Sequence, residues 1–222
     1  MNMMNSRGDE ELETIKDVLM GFRAQALCIK TNVQILKELW SLQANFKEKN
    51  AGGFYQIIQE NCIFRIVLET YKMLYDQSSA NTIFNMINTV YEEMKGMEAF
   101  KDRQQELLDK KKEFSSIINT YNELKTVIVN NRKKVYAHND REYHWFSQHH
   151  IDLWGMNDDI YENILEVSEV CINYCNALLE ILGEKCIYEY SNYDDIKRLF
   201  GIKTKKEEIC ELFYGYRKDS YN

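Results

Sequence analysis

The chain has 222 residues, no proline and a formal charge of −7, where average usage would put proline at about one position in twenty. The length suits one domain with a sizeable core, and without proline no helix is forced to stop by ring chemistry. The acidic balance excludes a surface that attracts nucleic acid as a whole, so any RNA or DNA site has to be a local basic patch.

In chain order, residues 1–8 read as a disordered lead-in. From there the apolar positions run Leu12, Ile15, Leu19, Phe22, Ala26, Ile29, Val33, Leu36 and Trp40, alternating steps of three and four as a helical seam does. With Gly21 inside it, this segment is one long helix or two collinear pieces; a bundle helix and a dimer-forming coiled coil both fit the seam. Ala51-Gly52-Gly53 marks a turn. A second helix is expected from about Phe54 to Asp76, and its middle, Cys62 to Leu68, is apolar nearly all round, which predicts the most buried helix of the set. Arg65 and Glu69 stand four apart there and are placed to pair. Gln77-Ser78-Ser79 reads as a loop, with Ser79 or Asn81 capping a short helix that ends near Gly96.

A long fourth helix is expected from Met97 to Ala137, with its stripe at Phe100, Leu107, Phe114, Ile117, Tyr121, Leu124, Ile128 and then Arg132 and Val135. Residues 139–156, with His144, His149, His150 and Trp154, show no period and read as an ordered loop. Asn157 followed by two aspartates opens the next helix, with its seam at Ile160, Ile164, Val167, Cys171, Tyr174, Leu178 and Ile181, and Gly183 closes it. Two short helices, about 192–200 and 204–214, complete the pattern. The fold class is all-α, a bundle of four to five main helices with a small C-terminal helical tail.

Six cysteines lie within helical patterns, and Cys171 and Cys175, four apart, match neither a redox nor a zinc spacing. They read as reduced, buried thiols. Met1 to Glu10 has no apolar signal core and no run is long enough to span a membrane, so a soluble, cytoplasmic protein is expected. No metal-ligand spacing, glycine-rich phosphate loop or nucleophile elbow is present, and no cofactor is expected.

The stretch that carries chemistry is Asn131-Arg132-Lys133-Lys134-Val135-Tyr136-Ala137-His138-Asn139-Asp140. Arg132 falls on the apolar stripe, and a buried guanidinium demands a partner, so it should face an anion, a carboxylate or a cleft. Residues six apart on a straight helix diverge by about 120°. Arg132 and His138 therefore act together only where the helix ends or unwinds near Ala137, or where two chains contribute. The plainer reading is that Arg132, Lys133 and Lys134 complement the negative end of a helix dipole while Asn139 starts a turn.

This stretch resembles the signature of the HEPN superfamily, an arginine followed after four to six residues by a histidine, and its Tyr-Ala-His-x-Asp ending is similar to the AbiU-type abortive-infection branch. The resemblance implies a HEPN-like bundle over 9–185, between the lead-in of 1–8 and a helical appendage over 186–222. It further implies a metal-independent endoribonuclease whose cleft lies between two protomers. On that pattern His138 is the general acid or base at the ribose 2′-OH, and Arg132 binds the scissile phosphate. Lys133, Lys134, Tyr136, Asn139 and Arg141 are the substrate-binding candidates. The expected partners are RNA, a second copy of the chain and a neutralising antitoxin protein. Family members often carry a small polar residue directly after the arginine, where this chain has Lys133. The alternative is a non-catalytic nucleotide-binding or protein-interaction module on the same fold.

Overall fold

The computed structural model describes residues 3–76, 82–133 and 156–184. Every regular element among these residues is helical and none is a strand, as the period of three and four requires. Helix α1 covers Met3–Ser41, α2 Gln43–Glu48, α3 Gly52–Leu74 and α4 Ile83–Gly96; a 3₁₀ segment at Glu98–Arg103 leads into α5 (Gln104–Asn119) and α6 (Asn122–Asn130), and α7 covers Asp158–Ile181. The tail beyond residue 184 and the loop of 139–155 lie outside the described residues.

Two compact units share the chain, one comprising Met1–Lys30 with Phe64–Tyr188, the other Thr31–Ile63 with Glu189–Asn222. In the first, α7 is the axis. Twelve of its residues are buried, among them every position of the expected seam from Ile160 to Ile181. Asn157 caps it, its Oδ1 accepting from the Ile160 amide at 3.0 Å. Gly183, at φ +82°, ends it, with Glu184 N–H reaching back to Leu179 O, the left-handed closure that favours glycine. The first part of α1 runs antiparallel to α7. Lys16 pairs with Glu184 at 2.8 Å, Arg23 Nε donates to Asn176 Oδ1 at 2.6 Å, and Lys30 pairs with Glu169 at 3.4 Å. Those three α1 residues stand one heptad apart, flanking Ile15, Leu19, Phe22, Ala26 and Ile29, all buried. The α5–α6 track is antiparallel to α7 as well: Arg103 reaches Ile181 O, the rings of Phe114 and Tyr174 lie 4.5 Å apart, and Tyr121 donates to Glu166 at 3.0 Å.

In the second unit's described part, residues 31–63, the Phe46 ring packs on Phe54 and Tyr55, with centroids 6.4 and 5.3 Å away. The turn after α2 is closed by Asn50 at φ 53°, with Ala51 N–H donating to Phe46 O. Asparagine tolerates the left-handed region, so the turn falls before Ala51, and Gly52 and Gly53 already belong to α3.

Several expectations are corrected. The first segment is the single long helix of its two readings, but it begins at Met3; α1 is unbroken through Gly21, about 58 Å at the usual rise per residue. Its buried position at the C-terminal end is Leu39, with Trp40 beside it half-buried. The most buried helix is α7 rather than α3, because α3 turns Phe54, Ile57 and Phe64 outward, 52, 59 and 40 % exposed. Glu69 is held by Lys72 at 3.0 Å and by Gln25 of α1 at 3.1 Å, not by Arg65, which is exposed. The cap of α4 is Thr82, accepting from the Asn85 amide. The long fourth helix is interrupted: the amides of Thr120 and Tyr121 bond three residues back, to Ile117 and Ile118, and the Thr120 hydroxyl adds a 2.7 Å bond to Ile117 O. Tightening of this kind ends one α-helix and lets another begin in a new phase.

Candidate functional site

The interruption at Thr120–Tyr121 determines where the charged residues of α6 point. Before it, the buried positions are Leu107, Phe114 and Ile118; after it they are Leu124, Ile128 and Asn131, all three of the latter fully buried. Asn131, not Arg132, therefore takes the position on the stripe, and its Nδ2 donates to Val127 O at 2.8 Å. Arg132 sits beside the stripe, half-buried, and Lys133 is exposed. Regular α-helix stops at Asn130, and 131–133 wind as π-helix, a distortion that recurs at functional sites.

The guanidinium carbon of Arg132 lies 4.8 Å from the ring centre of Tyr71, on α3. Arg132 has no carboxylate partner among the described residues. Stacking on an aromatic face holds the guanidinium plane while its edge donors stay available for a planar or tetrahedral anion. No sequence pattern marks Tyr71 as the partner, since the pairing joins residues far apart in the chain. The buried amide of Asn131 was visible in the sequence only as a polar residue three after Ile128.

One helical turn beyond Tyr71, Tyr75 opens onto a cleft of about 360 Å³ between the end of α3, the start of α4 and the α5–α6 junction. Phe84, Asn85, Asn119, Tyr121 and Lys125 complete its polar and aromatic wall, over a floor of Leu74 and Ile118. Burial raises the Tyr75 phenol well above the ordinary tyrosine range, with the Cys171 thiol adding to the shift. Burial also raises Tyr121, and the hydrogen bond it donates to Glu166 acts in the same direction. Both phenols are neutral across the physiological range. A second groove, about 290 Å³, lies between α5 and α7 around Phe114 and Tyr174.

A protein-family comparison identifies the HEPN_AbiU2 family, described as AbiU2, over residues 22–198. The chain belongs to the AbiU2 family. It is thereby a HEPN-type protein of the abortive-infection class. The AbiU2 match spans the second half of α1, all of α2 to α7, and the whole Asn131–Asp140 stretch. No curated protein and no solved structure gives a significant match. Of the seven candidate residues, Arg132 and Lys133 are described; Lys134, Tyr136, His138, Asn139 and Arg141 lie outside the described residues. Among the described residues no cluster of histidine, cysteine or carboxylate side chains could hold a metal ion, and no helix is long and apolar enough to cross a membrane.

Proposed function

We propose that this AbiU2-family protein is a metal-independent endoribonuclease of abortive-infection or toxin type, cutting RNA with Arg132 and His138 in a cleft shared by two protomers. The observation that carries the reading is the state of Arg132: just past the last residue of α6, laid on the Tyr71 ring, with no carboxylate bound to it among the described residues. A guanidinium in that state is ready for phosphate. Histidine is the residue type suited to proton transfer at neutral pH, and His138 takes the proton from a ribose 2′-OH. The 2′-oxygen then attacks the adjacent phosphorus, the bond to the 5′-oxygen breaks, and the 5′-oxygen leaves as a hydroxyl after gaining a proton. Arg132 offsets the extra negative charge on phosphorus in the transition state. Lys133, Lys134 and Arg141 add local positive potential to an acidic body, and Tyr136 and Asn139 contact substrate or orient the arginine. A neutralising antitoxin and a cytoplasmic setting accord with such an activity.

The test is cleavage of mixed RNA in EDTA by the parent protein and by Arg132→Ala and His138→Ala variants, with expression toxicity and light scattering as companion readouts. The expected result is a dimer whose cleavage falls by two or more orders of magnitude in either variant, in line with about 3 kcal/mol for one transition-state donor. Folded variants that cleave as the parent does overturn the assignment. Tight ligand or partner binding without any cleavage selects the non-catalytic module, the reading that the exposed lysine at position 133 favours.

A further inference from the structure

Tyr71 on α3 and Tyr75 just past its end stand four apart, and Lys125 and Arg132 stand seven apart on the α6 track. Tyr71 carries Arg132 on its ring, and Tyr75 shares the 360 Å³ cleft with Lys125. The two elements thus run antiparallel, with an aromatic residue and a cation together at each level. Seven residues of helix advance about 10 Å, a distance that phosphates close to one another along an extended strand can span. Lys125 is exposed and forms no ion pair among the described residues. The cleft beside it offers aromatic surface from Phe84, Tyr75 and Tyr121 and a side-chain amide from Asn119, and its volume lies in the range of small-molecule sites. Aromatic surface for a base next to a cation for its phosphate is the chemistry by which single-stranded nucleic acid is held.

We propose that this cleft seats one nucleotide of a single-stranded RNA substrate, its base against Phe84 and the two tyrosines and its phosphate at Lys125, upstream or downstream of the phosphate held by Arg132. The proposal rests on the reading of Arg132 as a phosphate ligand, and it adds a subsite that explains how an acidic protein holds RNA next to that residue.

The experiment uses the full chain carrying His138→Ala, so that binding is read without cleavage. A fluorescent hexaribonucleotide is titrated by anisotropy at several salt concentrations, with adenosine monophosphate as a competitor. Lys125→Ala should weaken binding about fivefold to tenfold and reduce the salt slope by about one. Phe84→Leu should weaken it about tenfold through lost stacking, while Lys112→Ala, on the exposed side of α5, should leave it unchanged. Because Lys125 is exposed, its loss does not threaten the fold. Hexamer binding that ignores Lys125 and Phe84 overturns the subsite, and if the parent protein with His138 intact cleaves RNA while His138→Ala does not, the Arg132–His138 reading survives that failure. Adenosine monophosphate binding as tightly as the hexamer also overturns it, in favour of a mononucleotide site. Absence of both cleavage and binding removes both readings.

Discussion

The stacking of Arg132 on Tyr71 can be isolated from everything else the two residues do. Tyr71→Phe keeps the ring face and removes only the hydroxyl; Tyr71→Leu removes the face; Arg132→Lys keeps the charge but loses the planar guanidinium. At 4.8 Å, with Arg132 half-buried, the cation–π contact is worth about 0.5–1 kcal/mol. A double-mutant cycle between Tyr71→Leu and Arg132→Ala, read by urea denaturation, should return a coupling of that size, and Arg132→Lys should lose only the part that the planar guanidinium adds. Tyr71→Phe should cost little. In RNA cleavage the same loosening should reduce the rate about twofold to fivefold in Tyr71→Leu, far less than the loss on deleting the arginine, since the charge remains and only its pre-orientation is lost. A coupling below about 0.3 kcal/mol, the usual additivity error, would refute the stacking argument. So would Tyr71→Phe behaving like Tyr71→Leu, because that result assigns the effect to the hydroxyl.

Thr70 is 1 % exposed and its Oγ1 has no hydrogen-bond partner among the described residues, so Thr70→Val should stabilise the protein by about 1 kcal/mol by deleting a desolvated hydroxyl; a lower urea midpoint would show that the hydroxyl is bonded after all. Burial pushes the Cys62 thiol up to about 11 and, against the opposing charge of Arg23, the Cys175 thiol up to about 12, from 9.0. The folded state therefore holds these protons where the unfolded chain has released them. Their contribution to stability is fully present below pH 9 and is lost as pH rises through 11 and 12. The urea midpoint should fall across that window, less steeply in Cys175→Ala, and an equal slope in the variant would contradict the account.

Period alone predicts the helices because most of them bury one continuous stripe. The seams of α1 and α7 carry through from sequence to structure almost residue by residue, and the Asn157 cap and Gly183 closure follow from local side-chain and backbone chemistry. The second helix misled for a physical reason. An apolar run from Cys62 to Leu68 predicts burial on all sides only if partners exist on all sides, and Phe54, Ile57 and Phe64 are turned outward. Turn positions slipped by one or two residues wherever two residues compete for one role, as Asn50 does with the following glycines and Thr82 with Asn81.

The site was half legible, and the reason lies in two residues. Carried straight through from Ile118 in steps of seven, the stripe of an unbroken helix would pass through Lys125 and then Arg132, burying both charges in the core at a cost that no carboxylate among the described residues offsets. The tightened turn at Thr120–Tyr121 removes that conflict. By rephasing the chain it brings Leu124, Ile128 and Asn131 onto the buried side and leaves Lys125 and Arg132 along its edge, one beside the cleft and one on the Tyr71 ring. A charge on the apolar stripe led to the expectation of an anion, a carboxylate or a cleft facing Arg132, whereas the structure sets Arg132 beside the stripe and on the Tyr71 ring. What the sequence could not display was that the helix itself gives way, twelve residues before the arginine, at a threonine whose hydroxyl bonds its own turn. The break in the helix and the position of its two cations at the edge of the buried stripe are thus one feature: straightening α5 into α6 would bury the groups proposed to bind phosphate.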